Sequence, residues 1–262
     1  MMPRDVHLEP SSDPAEVLAI FSEHRPIHTY GIVDVVQFWQ TSRWWVRGQA
    51  VVGLVELPGV GHPVVYAVSA VHGVETLALL ADLVPQLPQR FPITGPIGLS
   101  ERLAATHDAL HSGPHVKMHL IRKDMLSEPD PQARPLEPED LAAVRRFSAQ
   151  EGAWLEYFRD DLLGTGRQVG IFDDGELLAL AGVHVIDVEQ SIAAIGNVVT
   201  LPEHRGRGLA RRALATLCHR LCEEVDIVGL NVQRDNAAAT ALYEHLGFLP
   251  LMEYEEAELV RR

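Results

Sequence analysis

The stretch NVVTLPEHRGRGLA, residues 197–210, decides how the rest of this sequence is interpreted. It predicts a strand that ends near Pro202, a short loop with two glycines, and a helix that begins near Leu209. Gly206 and Gly208 would let the backbone approach a ligand closely. The first turn of the helix would direct free N–H groups and the positive end of its dipole into the loop. The pattern indicates an anion site suited to a pyrophosphate.

Basic side chains surround this loop in an acidic protein: His204, Arg205, Arg207, Arg211 and Arg212. A pair of glycines one residue apart is a weak signal when it stands by itself. The same residues would also form an ordinary glycine turn with a solvated basic face. The two interpretations stay open at this point.

A second informative stretch is NAAATALYEHLGF, residues 236–248. It predicts a helix that Asp235 or Asn236 caps. Asn236, Ala239 and Tyr243 then share one face, because residues three, four and seven apart are neighbours on a helix. An amide, a small residue and a phenol suit the packing of a ligand chain better than a core. A capped amphipathic helix with a half-buried tyrosine is the alternative.

Together the two stretches resemble the GNAT superfamily of acyl-CoA N-acyltransferases. The residues that match the family's two signatures are Arg205, Gly208 and Ala210 in the first, and Asn236, Ala239, Leu242, Tyr243, Gly247 and Phe248 in the second. The resemblance covers about residues 132–262. It implies an α/β fold in which a mixed, mostly antiparallel sheet is flanked by helices.

The resemblance also implies roles for individual residues. Acetyl-CoA is the expected acyl donor, and its pyrophosphate would be held by the amides of Arg205, Gly206, Arg207, Gly208, Leu209 and Ala210. Val198, Val199 and Thr200 would pair with the pantetheine arm like an added strand. Asn236 would contact the pantetheine beside Ala239, and Tyr243 would protonate the leaving thiolate. No metal is implied.

The segment SEPDPQ, residues 127–132, is the one obvious linker in the sequence, and it predicts two domains, 1–131 and 132–262. The order of predicted elements in the first half follows that of the second, which indicates a diverged internal duplication. Two unrelated α/β units are the alternative. The first half has no glycine signature, and it resembles the degenerate partner domain of tandem GNAT proteins.

Local patterns predict the elements of both halves. Those of the first half are a hairpin over 44–56, a helix over 71–84, a strand within 91–99, a helix over 100–110 and a strand over 116–122. Those of the second half are helices over 141–147, 154–158, 209–223 and 237–246, and strands over 168–172, 177–186, 191–200, 227–232 and 248–258. Asp174-Gly175 predicts a hairpin turn.

Composition narrows the function classes. The chain has 262 residues and a formal net charge of −14, which disfavours binding to a phosphate backbone. No apolar run reaches the ~20 residues of a membrane span, and the first ten residues lack the apolar core of a signal peptide. Cys218 and Cys222 do not form a disulfide framework, so we expect a cytoplasmic protein. From its charge and its lack of a membrane span we expect no nucleic-acid or membrane partner.

The sequence predicts transfer of an acetyl group from acetyl-CoA to an amine of a small molecule or peptide. A non-catalytic acyl-CoA sensor is the alternative, and a homodimer is one of the assemblies left open. His184, Glu189 and Asn197 are candidates for the general base, as is a chain of water molecules. Histidines recur at 107, 111, 115 and 119, but Gly113-Pro114 would break a helix that presented them together, which disfavours a metal site.

Overall fold

The structure is a computed structural model that describes residues 8–57, 60–150, 152, 155 and 158–262. The helices in these ranges are α1 (Pro14–Ser22), α2 (Thr29–Phe38), α3 (Gly73–Leu83), α4 (Leu99–Leu103), α5 (Leu141–Ser148), α6 (Leu209–Glu224) and α7 (Ala237–His245). The strands are β1 (Arg43–Arg47), β2 (Ala50–Val55), β3 (Val64–Tyr66), β4 (Arg90–Gly95), β5 (His107–Leu120), β6 (Ala133–Pro135), β7 (Gln168–Asp173), β8 (Glu176–Asp187), β9 (Ile192–Thr200), β10 (Ile227–Gln233) and β11 (Phe248–Arg261). None of the helices in the described ranges is both long and apolar enough to span a bilayer.

The chain forms two compact units. The first contains the chain up to Lys117 together with Val232–Asp235 and Leu251–Arg262, and the second contains Met118–Asn231 and Asn236–Pro250. The units therefore interleave along the chain, because the last twelve residues belong to the first unit. The division into domains 1–131 and 132–262 stays a prediction.

The first unit has a mixed sheet in the order β1-β2-β3-β4-β11-β5. β1, β2 and β3 are antiparallel neighbours, whereas β3 and β4 are parallel and are connected by α3. The C-terminal part of β11 pairs antiparallel with β4, from Glu255 opposite Gly95 to Val260 opposite Arg90. A core closes between the sheet and α3, and its members include Trp45, Leu79, Leu80, Leu83, Phe91, Ile93 and Leu259.

The second unit has a mixed sheet in the order β10-β9-β8-β7-β6. Its strands are antiparallel from β6 to β9, and β9 and β10 are parallel and connected by α6. One face of α6 is fully buried, through Ala213, Leu214, Leu217, Cys218 and Leu221. This apolar stripe at helical spacing fixes α6 on the sheet.

The two units share one sequence of elements: a β-hairpin, a third strand, a crossover helix and a parallel fourth strand. In the first unit these are β1, β2, β3, α3 and β4, and in the second they are β7, β8, β9, α6 and β10. The turn of the second hairpin has Asp174 and Gly175 at positive φ, 44° and 81°, as its Asp-Gly sequence predicts. The repeated topology agrees with the predicted duplication.

The predicted helix over residues 100–110 is wrong for its second half. α4 ends at Leu103, and β5 begins at His107 instead of residue 116. His107 is buried and packs edge-on against Phe91, with ring centroids 5.4 Å apart. This tertiary contact, which local propensity does not include, selects the strand. The histidines at 107, 111, 115 and 119 therefore lie on a strand. The reason given above against a metal site, a helix broken at Gly113-Pro114, does not apply to them.

Two helices of the structure were not predicted from the sequence, and one predicted helix cannot be compared with the structure. The local patterns predicted no element for the residues of α1 and α2. The predicted helix over 154–158 falls mostly outside the described residues.

Candidate active site

The glycine loop leads into α6, as the sequence predicts. Gly206 and Gly208 have φ angles of 75° and 74°, in the left-handed region that glycine adopts without strain. Gly208 is the N-cap of the 16-residue helix α6. Among the described residues, a β-carbon at Gly206 would have no atom within 4 Å, and one at Gly208 would meet just the Arg211 guanidinium at 4.0 Å. Open space therefore lies in front of the loop.

The amides of this loop form a cluster of free donors. The Arg205 N–H donates to the carbonyl of Pro202 at 3.3 Å, and the Arg212 N–H donates to that of Gly208 at 3.1 Å. Between them, the N–H groups of residues 206–211 have no acceptor within the part of the chain that the structure describes. Free amides at the positive end of a helix dipole bind phosphate groups. The donor cluster thus begins at Gly206, one residue after the predicted start.

The Arg205 side chain holds the loop in place. Its Nε donates to the carbonyl of Thr200 at 3.3 Å, and its Nη2 donates to that of Gly152 at 3.0 Å. The guanidinium thereby connects the end of β9 to a segment far away in sequence. Arg205 is placed to shape the loop.

The predicted basic cluster is only partly available to a ligand. Arg212 forms an ion pair with Asp130, and this hydrogen bond lowers the pKa of the Asp130 carboxyl. The backbone N–H of Asp130 also binds α6, because it donates to Thr216 Oγ1 at 3.0 Å. Arg207 and Arg211 are exposed, and they lie 2.6 Å and 3.4 Å from ring nitrogens of His204 and His245. These two arginines are the ones positioned to supply charge at the loop.

Strands β9 and β10 separate next to the loop. Their parallel pairing runs from Ile192 opposite Ile227 to Ile195 opposite Leu230. Beyond Ile195, β9 continues to Thr200 without a registered partner on β10, whereas Val199 and Thr200 pair with Leu180 and Ala179 of β8. The other edge of these three residues can accept an extended ligand chain by β-augmentation.

Two buried polar atoms lie along this open part of β9. Asn197 Nδ2 and Thr200 Oγ1 are buried, and within the described ranges neither has a hydrogen-bond partner. Buried polar groups in native proteins are nearly always hydrogen-bonded. Both atoms therefore suit a ligand that carries amides, such as the pantetheine arm.

Helix α7 presents the second predicted set of residues. The Asn236 side chain caps the helix, because its Oδ1 accepts a hydrogen bond from the Ala239 N–H at 3.1 Å. Asn236 is exposed, Ala239 is half-buried, and Tyr243 is buried with 8% of its surface exposed. The face thus runs from solvent into the protein, with the phenol at its inner end.

The Tyr243 hydroxyl stays protonated at neutral pH. Burial raises the pKa of Tyr243 to about 12, and the neighbouring Cys218 thiol acts in the same direction. Its ring lies 6.0 Å from that of Phe248. A protonated phenol is able to donate a proton to a leaving group.

Gly247, from the same signature, has a packing role that the structure makes explicit. Its φ is 93°, and a β-carbon there would lie 2.1 Å from the carbonyl oxygen of Arg122. The Gly247 carbonyl in turn accepts hydrogen bonds from the N–H groups of Ile121 and Arg122, at 3.2 Å and 3.1 Å. Only glycine fits this close approach of two backbone segments.

The structure places the three candidates for the general base at different positions of the β8–β9 hairpin. His184 and Asn197 lie on the neighbouring strands β8 and β9, whereas Glu189 lies in the turn at the far end of this hairpin. Gly196, which faces the His184 ring, is a residue that sequence reasoning missed. A glycine within an otherwise apolar strand was the available signal, because it marks a bulge or a close approach.

The equivalent position in the first unit lacks these features. The turn before α3 contains no glycine pair, its first helical turn contains Glu75, and Val71 and Val74 are 67% and 80% exposed. At the start of α4, the N–H groups of Gly98 and Ser100 already donate to the Glu255 carboxylate, at 2.8 Å and 3.3 Å. Among the described residues, no group of three or more His, Cys, Asp or Glu side chains could hold a metal ion.

Comparison with known proteins identifies the class of domain. Residues 125–248 match the model of the Acetyltransferase (GNAT) family, so this part of the chain is a GNAT domain. The chain is also similar to a mycothiol acetyltransferase of Tsukamurella paurometabola, with 38% identity over 76 residues. That match covers 29% of this chain and 26% of the relative, so the chain spans about a quarter of that relative's length.

Solved structures extend the likeness in fold to the whole chain. A Drosophila protein has a TM-score of 0.67 and 19% identity, and a tandem GNAT protein from the clavulanic acid biosynthesis pathway has a TM-score of 0.55 and 16% identity. Each comparison covers 97% of this chain and 98% of the other. The predicted fold class, a tandem GNAT-like α/β fold, is confirmed.

Proposed function

We propose that this protein transfers an acetyl group from acetyl-CoA to the amine of a small molecule or peptide. The observation that carries the proposal is the cluster of free amides at residues 206–211, at the start of α6 and beside the open edge of β9. A pyrophosphate on these amides would leave its pantetheine arm free to follow Val198–Thr200. One of the relatives is named an acetyltransferase, which agrees with this assignment.

The residues of the second unit fit acetyl-CoA in three ways. The loop amides suit the pyrophosphate, the exposed Arg207 and Arg211 suit its negative charge, and the unpartnered Asn197 Nδ2 and Thr200 Oγ1 suit the amides of the arm. The exposed part of the Asn236 side chain and the half-buried Ala239 continue this surface towards Tyr243. Acetyl-CoA is then a substrate, and the chemistry needs no metal.

In the proposed reaction the amine attacks the thioester carbon directly. Holding donor and acceptor together supplies much of the rate enhancement, because it replaces an encounter of two molecules by a reaction within one complex. Tyr243 gives its hydroxyl proton to the sulfur as the carbon–sulfur bond breaks. Its buried position and raised pKa keep that proton available at neutral pH.

The alternative is an acyl-CoA sensor that binds the same molecule without turnover. A sensor needs the loop but does not need a protonated phenol at the inner end of the α7 face. The position of Tyr243 therefore favours the enzyme. The net charge of −14 supports small-molecule or peptide acceptors over nucleic acid.

The test is release of free thiol from acetyl-CoA by the full chain, measured against a panel of amino acids, polyamines, aminoglycosides and peptides. Acetyl-CoA should raise the melting temperature, and at least one amine should produce thiol at a rate above that of hydrolysis. Stabilisation without turnover across the panel would support the sensor instead. No stabilisation by acetyl-CoA would contradict both.

A further inference from the structure

His184 lies against the one residue of β9 that leaves room for its ring. A β-carbon built on Gly196 would lie 2.0–2.2 Å from the Nε2, Cε1 and Cδ2 atoms of His184. Any other residue at position 196 would displace the imidazole. The glycine thus allows the ring to lie directly on the backbone of β9.

Two irregularities in the β8–β9 pairing bring His184 to this position. Val183 pairs with Ile195 and Val185 with Ala194, so His184 is the extra residue of a β-bulge. On the other side of the Gly182–Gly196 pair, β9 contains the opposite bulge, where Asn197 has a φ of 52°. Bulges redirect side chains and occur often beside active sites.

The expected path of acetyl-CoA ends at the same place. Its pyrophosphate would lie at residues 206–211, and its arm would run back along Thr200, Val199 and Val198. The acyl end therefore lies beyond Val198, next to Asn197 and Gly196. This is where the His184 ring lies on β9.

The other candidates do not meet both requirements of position and chemistry. Glu189 lies in the hairpin turn before Ile192. The four residue steps from Ile192 to Gly196 alone span about 13 Å along the strand, at ~3.3 Å per residue. The Asn197 side chain is an amide and does not accept a proton at neutral pH. Burial raises the pKa of the Cys218 thiol well above its usual value, so it stays protonated.

We propose that His184 is the general base that takes a proton from the acceptor amine, an inference that rests on the proposed function. An ammonium group loses one proton to the His184 imidazole, and its nitrogen then forms a bond to the thioester carbon as the carbon–sulfur bond breaks. The sulfur takes the Tyr243 proton. The second proton that leaves the nitrogen restores the Tyr243 hydroxyl through solvent, so that the products are the amide, the free thiol and a protonated His184.

The experiment compares the wild type with His184→Ala and His184→Gln, using acetyl-CoA and an amine that the panel identifies. We expect kcat to fall by roughly 10²–10⁴-fold in both variants, the usual contribution of a general base, with an unchanged KM for acetyl-CoA. Free imidazole should restore part of the lost turnover in His184→Ala. The control is His62→Ala, which removes an exposed imidazole of the first unit and should leave turnover unchanged.

Gly196→Ala tests the position of the ring separately. It keeps the imidazole but occupies the space of the ring, so kcat should fall while acetyl-CoA still raises the melting temperature. Wild-type turnover in His184→Gln, or a loss in His184→Ala that imidazole does not restore, would overturn the assignment of His184. The proposed function would survive that result, whereas a wild-type protein without turnover on any amine would remove both.

Discussion

Substitution of Gly208 by valine tests whether the loop holds the pyrophosphate. Gly208 has a φ of 74°, and within the described part of the chain a β-carbon there would meet no atom closer than the Arg211 guanidinium at 4.0 Å. The free protein therefore has room for the side chain. The cost to folding is the left-handed backbone, about 1–2 kcal/mol for an L-residue. Gly208→Val should remain folded with a modestly lower melting temperature.

The loss of acetyl-CoA binding should be much larger than this strain explains. If the strain alone opposed binding, 1–2 kcal/mol would weaken affinity by roughly 5–30-fold. A valine side chain also projects into the open space before the amides of residues 206–211, where the pyrophosphate would lie. We expect titration calorimetry to show a loss of more than about 100-fold.

The control for backbone strain is Gly48→Val. Gly48 lies in the turn between β1 and β2 and has a φ of 61°, and a β-carbon there would have no atom of the described residues within 4 Å. This substitution should lower the melting temperature about as much as Gly208→Val and leave the acetyl-CoA affinity unchanged. A folded Gly208→Val protein that binds acetyl-CoA within about 5-fold of the wild type would refute the assignment of the loop.

Three other predictions follow from the site and from the first unit. Tyr243→Phe should lower kcat by roughly 10²–10⁴-fold with little change in acetyl-CoA affinity, and near wild-type turnover would remove Tyr243 from the mechanism. Calorimetry of the full chain should give one acetyl-CoA per chain, because the turn before α3 has no pair of glycines and Glu75 places a carboxylate in the first turn of that helix; a value of two would contradict this. Burial raises the pKa of Asp34 to about 7. The stability that protonated Asp34 contributes is complete below pH ~4 and is lost as pH rises to about 7, by at most ~1.4 kcal/mol per pH unit. Burial lowers the pKa of His28 to about 3, which gives the opposite slope below pH ~6.5, so the contribution of Asp34 is measured as a difference between two variants. Urea titrations at several pH values should show that the free energy of unfolding of the wild type falls relative to that of Asp34→Asn between about pH 4 and pH 7, and a difference that does not change with pH would contradict this.

The parts of the candidate site that follow each other in sequence could be predicted. The glycines at 206 and 208 have the positive φ angles that their sequence indicates, and Asn236 caps α7 as its position before the helix indicates. Both features depend on the conformation of a few consecutive residues. Local sequence encodes such conformations directly.

The parts that depend on distant residues could not be predicted in the same way. The β5 strand replaces half of a predicted helix because His107 packs against Phe91. The residues of β11 beyond Pro250 belong to the first unit and pair with β4, about 165 positions earlier in the chain. A local pattern shows that a segment is a strand but does not show which strand it joins. For the same reason, the contact between Gly196 and His184 was visible only in the fold.

The basic residues near the loop show why composition was a poor guide to the anion site. Arg212 is neutralised by Asp130, and Arg205 donates to two backbone carbonyls, so neither is available as a free charge. Most of the remaining donors are backbone amides, which are present in every sequence. Here the conformations of Gly206 and Gly208 direct them towards one place. Helix N-termini bind anions through such partial charges. A net charge of −14 is therefore compatible with the proposed pyrophosphate site, because the site depends on the local geometry of the loop and not on the average charge of the chain.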